Sequence, residues 1–133
     1  MRDETRVAID SDHDIVTARQ RGRALAEQIG FSNSNLTLIA TAISELARNI
    51  LLYAKNGEVR LGIVEENGRQ GLAVVASDHG PGIADVGRAM EVGYSTSGSL
   101  GLGLPGVRRL MDDFEIVSKM GRGTTVSTRK WKR

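Results

Sequence analysis

Residues 58–66, EVRLGIVEE, and 71–78, GLAVVASD, are two runs rich in β-branched residues, separated by Asn67-Gly68-Arg69-Gln70. Asn-Gly between apolar runs is a hairpin signal, because both residues tolerate the positive φ that a tight turn demands. A second pair follows, FEIVSKM and TTVSTRKW around Gly121-Arg122-Gly123. Antiparallel neighbours can be joined by such short turns, whereas parallel neighbours need a long crossover. Two hairpins therefore argue against a purely parallel, doubly wound sheet.

The rest of the chain supplies a covering layer. Residues 5–10, TRVAID, read as a short strand, and Ser11 or Asp12 offers a helix N-cap. Ile15, Ala18, Gly22, Leu25 and Ile29 fall at helical spacing, with Gly30 as the stop. A second helix opens in Ser32–Asn35 and runs to about Ala54, with Leu36, Ile39, Ala40, Ile43, Ala47, Ile50 and Ala54 on one stripe. A loop region spans 79–102, with a short helix expected near Asp85–Val92, and residues 104–113 read as a helix that tolerates Pro105 in its first turn. The order implies an α/β two-layer sandwich: a mixed, mostly antiparallel sheet with helices on one face.

Composition narrows the function. With 133 residues the chain reads as one domain, 1–133, and its 40% apolar content suffices for a core. Cysteine is absent, which removes disulfides and thiolate metal sites and fits a cytoplasmic protein. The N-terminus lacks a signal-peptide apolar stretch, and no continuous apolar run is long enough to imply a membrane span. There are 18 basic and 16 acidic residues, and the aromatics are scattered, so no basic stacking stripe for nucleic acid is present. The basic tail, STRKWKR, reads as the solvated end of a strand.

Ten of the sixteen glycines lie between Gly80 and Gly123, which makes that half the place to look for a ligand. Gly101-Leu102-Gly103 precedes a helix, where free N–H groups and the helix dipole favour phosphate; an ordinary turn fits the same pattern. Asp78 ends an apolar strand and precedes His79-Gly80-Pro81-Gly82. A carboxylate there can accept from the exocyclic amine of adenine and repel the carbonyl oxygen of guanine, while Gly80 and Gly82 leave room for a flat ring. An aspartate capping its own turn is the plainer alternative. On the second helix, Glu45 and Asn49 share a face opposite the apolar stripe, with Arg48 on the flank. An amide oxygen suits Mg2+, and a carboxylate one turn away can take a proton from a hydroxyl; ordinary surface polarity is the alternative. Leu38 and Leu52 flank that polar face, which points to a cover other than bulk water.

Together, ELARN, DHGPG, GLGLPG and GRGTT stand in the order and rough spacing of one family. They resemble the N box and three glycine boxes of the GHKL ATP-binding superfamily, which includes gyrase, histidine kinases and MutL. TAISELARNI, GYSTSG and GLPGVRRLMDDF are similar to the RsbT-type switch kinases of the bacterial stressosome, within the partner-switching serine-kinase and anti-sigma branch. The resemblance implies the Bergerat fold, a mixed sheet covered by three helices. It implies a Ser/Thr protein kinase that uses ATP and Mg2+, phosphorylates STAS-domain proteins and then activates a PP2C-type phosphatase. By position, Glu45 resembles the general base, Asn49 the Mg2+ ligand and Asp78 the adenine acceptor, with Gly80 and Gly82 shaping the pocket. Gly101 and Gly103 resemble the phosphate loop, Thr125 the hydroxyl that supports the Asp78–adenine contact, and residues 95–99 part of a lid. Leu102 and Leu104 are bulkier than in some relatives.

Three function classes follow. The intact Glu45–Asn49 pair favours a true kinase. A non-catalytic, ATP-dependent binding switch of the anti-sigma kind uses the same boxes. An ATPase motor or a histidine kinase is disfavoured, since the chain has no room for a transducer domain or a phosphoacceptor helix pair, and His13 and His79 read as structural or surface residues.

Overall fold

The computed structural model describes residues 1–83, 86, 90 and 103–133. Five strands form one sheet: β1 (Arg2–Ile9), β2 (Gly57–Glu66), β3 (Arg69–Asp78), β4 (Asp113–Lys119) and β5 (Gly123–Trp131). Its spatial order is β1-β2-β3-β5-β4. Every neighbouring pair is antiparallel, so among the described residues the sheet is wholly antiparallel rather than mixed. Three helices, α1 (Asp12–Ile29), α2 (Asn33–Tyr53) and α3 (Gly103–Leu110), cover one face. The expected short helix at 85–92 and the residues of the proposed lid lie outside the described residues.

Strand alternation decides which side chains meet the helices. Val7 and Ile9, Val59, Leu61 and Ile63, Leu72, Val74 and Ala76, and Val126 point inward. They pack against Ile15, Ala18, Ala26 and Ile29 of α1, against Leu36, Ile39, Ile43, Leu46 and Ile50 of α2, and against Val107 of α3. Burying a side chain of this size is worth about 1.5–3 kcal/mol, so this single interleaved layer is the main source of stability. The opposite face carries charge: Arg6 and Arg60 pair with Glu4 and Glu58 at 3.6–3.7 Å. Exposed pairs of this kind contribute little individually.

Element boundaries follow local chemistry. Ser11 is the N-cap of α1, and the Asp14 carboxylate accepts from the backbone N–H groups of Asp10 and Ser11 at 2.9 and 3.0 Å. The β2–β3 turn is only Asn67-Gly68, both at positive φ, so β3 begins two residues before the expected Gly71. Ser32 Oγ caps α2 by accepting from Asn35 N–H. By length and mean hydropathy α2 could cross a bilayer, although polar residues interrupt its apolar run; half of that stretch is buried inside the fold. The basic tail runs through the end of β5, with Arg129, Lys132 and Arg133 exposed, but Trp131 within it is not solvated. Trp131 is buried, donates its indole N–H to Asp113 at 2.9 Å, and lies under the Arg69 guanidinium. Lys130 Nζ donates to Leu110 O at 2.7 Å and so satisfies the open C-terminal end of α3.

Candidate functional site

Asp78 is the last residue of the central strand β3 and continues the inward series Leu72, Val74, Ala76. The half-buried carboxylate is split in function. Its Oδ1 accepts from Gly80 N–H at 2.9 Å and from Thr124 N–H at 3.2 Å. Oδ2 accepts from no donor among the described residues. The turn-capping alternative is thus realised by one oxygen, and the other remains available to a ligand.

The glycines around Asp78 are required by protein packing. A Cβ on Gly80 would come 2.6 Å from Ala54 Cβ, at the C-terminal end of α2. Gly82 has φ +82° and lies against the Lys119 carbonyl and Met120, in the β4–β5 turn. The expectation was space for a ring; the described atoms instead show close approach of two protein segments. A third glycine, Gly123, sits at φ +113° with its Cα against the Asp78 carbonyl and His79. No motif role had been attached to Gly123 beyond its membership in GRGTT.

Thr125 is misplaced for the role its position implied. It pairs with Ser77 and its hydroxyl lies 3.5 Å from Ser77 Oγ, on the outward face of the sheet. Asp78 lies on the inward face, as do Thr124, Val126 and Thr128. The residue of GRGTT beside Asp78 is Thr124, one position earlier, and it supplies the backbone donor. Period-2 alternation makes adjacent threonines face opposite ways.

The C-terminal half of α2 runs beside this loop. Ile50 packs toward Gly57 and Asp78, and Ala54 reaches Gly80. Asn49, half-buried, and Glu45 lie five and nine residues before Ala54, about 7 and 13 Å up the helix. Glu45 is not a surface residue: it is 7% exposed, in a helix against which α3 packs. The polar face that Leu38 and Leu52 flank is therefore covered at Glu45, while both leucines remain exposed. A buried carboxylate needs a partner, and Arg48 Nη1 donates to Glu45 Oε1 at 2.5 Å. The site thus places one carboxylate, Asp78, near the C-terminal end of α2 and an amide and a second carboxylate, Asn49 and Glu45, along it.

At the other flank Gly103, with φ +48°, begins α3. Gly101 lies outside the described residues. His79 is exposed beside Asp78, and His13 is exposed in the first turn of α1, as expected of non-catalytic positions. Among the described residues no three His, Cys, Asp or Glu side chains form a metal cluster. The Asn49 amide oxygen is the type of donor that Mg2+ accepts beside water and phosphate oxygens.

Among the described residues, a five-stranded antiparallel sheet covered on one face by three helices fits the fold of a GHKL-type ATP-binding domain. Residues 10–130 match the family described as histidine kinase-like ATPase domain, and the chain belongs to that family. It is 50% identical to serine/threonine-protein kinase RsbT of Bacillus subtilis (strain 168) over 133 residues, covering 100% of both chains. It is 30% identical to an anti-sigma F factor of Geobacillus sp. (strain WCH70) over 121 residues, 86% of this chain and 82% of that one. A Mycobacterium tuberculosis crystal structure of RsbU and RsbW domains superposes with a TM-score of 0.64 at 19% identity; it covers 98% of this chain and spans 33% of that one, which supports the fold.

Proposed function

We propose that this protein is an ATP-dependent serine/threonine protein kinase of a partner-switching stress module, acting as one domain, 1–133, in the cytoplasm. The observation that carries the site reading is the divided Asp78 carboxylate, with Oδ1 saturated by two backbone donors and Oδ2 left for the exocyclic amine of adenine. Asn49 is the residue that holds Mg2+, which when bound neutralises phosphate charge. Gly101, before α3, and Gly103, its first residue, receive the phosphates through backbone N–H groups and the helix dipole. Gly80 and Gly82 shape the adenine end by letting α2 and the β4–β5 turn close on the Asp78 loop.

Glu45 is the general base. It takes the proton of a substrate Ser or Thr hydroxyl as that oxygen bonds the γ-phosphorus and the bond to ADP breaks. Arg48 holds one carboxylate oxygen, and the burial of Glu45 keeps competing water away. The substrates in this reading are STAS-domain proteins, and the released kinase binds and activates a PP2C-type phosphatase. The 50% identity over the full chain to a serine/threonine-protein kinase supports the activity; the partners are the part this reading adds.

The anti-sigma relatives favour a second reading, a binding switch without catalysis. Transfer from γ-labelled ATP separates the two. The kinase reading expects label on a purified STAS-domain protein, lost with Glu45→Ala. ATP-dependent complex formation with no label in the partner would refute it in favour of the switch.

A further inference from the structure

The chain leaving Asp78 is fastened to the β4–β5 hairpin on both sides of Gly82. Gly121 N–H donates to Pro81 O at 2.8 Å, and Ile83 N–H donates to Ser118 Oγ at 2.7 Å. Ser118 Oγ also lies 2.8 Å from Thr124 Oγ1 and 3.3 Å from Gly123 O. Thr124 N–H is in turn one of the two donors on Asp78 Oδ1. One hydroxyl therefore ties the segment that departs from Asp78 to the strand that holds Asp78 in place. Ser118 sits on the inward side of β4, paired with Thr124, and no step of the proposed transfer uses it.

We infer that Ser118 is a positioning residue that sets the preference of the site for adenine over guanine by immobilising the Asp78 carboxylate. The inference rests on the reading that Asp78 faces the purine. A carboxylate repels a carbonyl oxygen effectively only when it is unable to turn away, so rejection needs a more rigid acid than attraction does. Removing the Ser118 hydroxyl strips Ile83 N–H of its acceptor and Thr124 Oγ1 of its partner. Among the described residues, the 81–83 segment then keeps its hydrogen bond to the β4–β5 hairpin at Pro81, and both donors on Oδ1 gain freedom. Adenine still draws the loosened carboxylate toward its amine. Guanine is no longer held against a fixed negative oxygen. Selectivity accordingly falls further than ATP affinity.

The test is titration of the full chain with ATP and with GTP, alongside melting temperatures, for wild type, Ser118→Ala, Ser118→Thr and Asp78→Asn. The neutral hydroxyl contacts Ile83, Thr124 and Gly123 and reaches Asp78 only through them, so Ser118→Ala is expected to weaken ATP about 3- to 10-fold. GTP binding stays level or tightens, and the ATP:GTP preference shrinks by at least the same factor. Ser118→Thr keeps a hydroxyl and the wild-type preference. Equal losses for both nucleotides, with the preference unchanged, would show that Ser118 serves only the fold and would overturn the inference. If Ser118→Ala does not fold, Ser118→Cys, a weaker hydrogen-bonding group, is judged by the same ratio. Wild-type ATP binding by Asp78→Asn would instead sink the adenine reading itself, an outcome distinct from an unchanged preference in Ser118→Ala.

Discussion

The two donors on Asp78 Oδ1 make Asp78→Asn an unusually determinate substitution. An asparagine side chain can usually present either its oxygen or its nitrogen to a ligand. Here the Gly80 and Thr124 N–H groups, at 2.9 and 3.2 Å, demand an acceptor on their side. The amide oxygen takes the Oδ1 position and the NH2 takes the Oδ2 position. A flipped amide would set its NH2 against two donors, at a cost of about 1–3 kcal/mol for the unsatisfied groups. The variant therefore turns a donor toward the adenine amine, which is also a donor.

The lost charge-assisted bond is worth about 1.5–3 kcal/mol, which converts to about 10- to 150-fold weaker ATP binding. For GTP the sign reverses. The carbonyl oxygen of guanine meets a donor where the wild type offers a negative oxygen, gaining a bond of about 0.5–1.5 kcal/mol and losing the repulsion. The preference is expected to move toward GTP by roughly two orders of magnitude. Calorimetric titration of both proteins with both nucleotides measures this, with a melting curve to show that the fold survives. A folded Asp78→Asn protein that binds ATP within about threefold of wild type, or that loses ATP and GTP alike, would refute the reasoning.

Other outcomes follow from the same geometry. Glu45→Ala is expected to retain Mg·ATP binding while phosphate transfer to a STAS-domain protein slows about 10²- to 10⁴-fold; Asn49→Ala instead loses metal-dependent nucleotide binding and transfer together, read by titration with and without Mg2+. Lys55 follows α2 in a left-handed conformation, φ +71°, that strains a residue with a Cβ. Lys55→Gly should therefore raise stability by about 0.5–1 kcal/mol in urea unfolding, and a loss would show that its side chain matters more than its backbone. Hydrogen bonds from the Asp10 and Ser11 backbone, together with the Ser11 hydroxyl and nearby His13, hold the Asp14 carboxyl below the usual carboxylate range. A folded-state pKa that is depressed adds stability above the unfolded value, lost as pH falls through the folded one. Asp14→Asn should melt below wild type at neutral pH, and the two should converge in acid; a constant offset across pH would exclude the linkage.

Much of the architecture was legible because its signals are local. Asn67-Gly68, the alternating runs beside it and the Leu36–Ile50 stripe each specify an element without long-range information. Glu45 is different. Helical periodicity placed it opposite the apolar stripe, and that is correct for α2 alone, yet in the fold Glu45 is buried and α3, from far along the chain, packs on the same helix. The flanking Leu38 and Leu52 were the only local trace of that cover. Trp131 likewise looked like part of a basic tail, until pairing of β5 with β3 placed it over Gly71.

The neighbourhood of Asp78 shows a second limit, one of parity. Motif order located the GRGTT segment but left two threonines to choose between, and the choice made from position, Thr125, faces the other side of the sheet. Parity is fixed by register: Ala76 pairs with Val126, so the inward series reaches Thr124 and passes over Thr125. The same register sets Ser118 opposite Thr124 on β4. A serine inside an edge strand, with no glycine or acid beside it, carries no sequence mark of that contact. Yet its oxygen is a point where Ile83 and Thr124 meet. The acid that reads the base can be found from its motif, whereas the group that holds it still is found only by following which strands pair, and in which register.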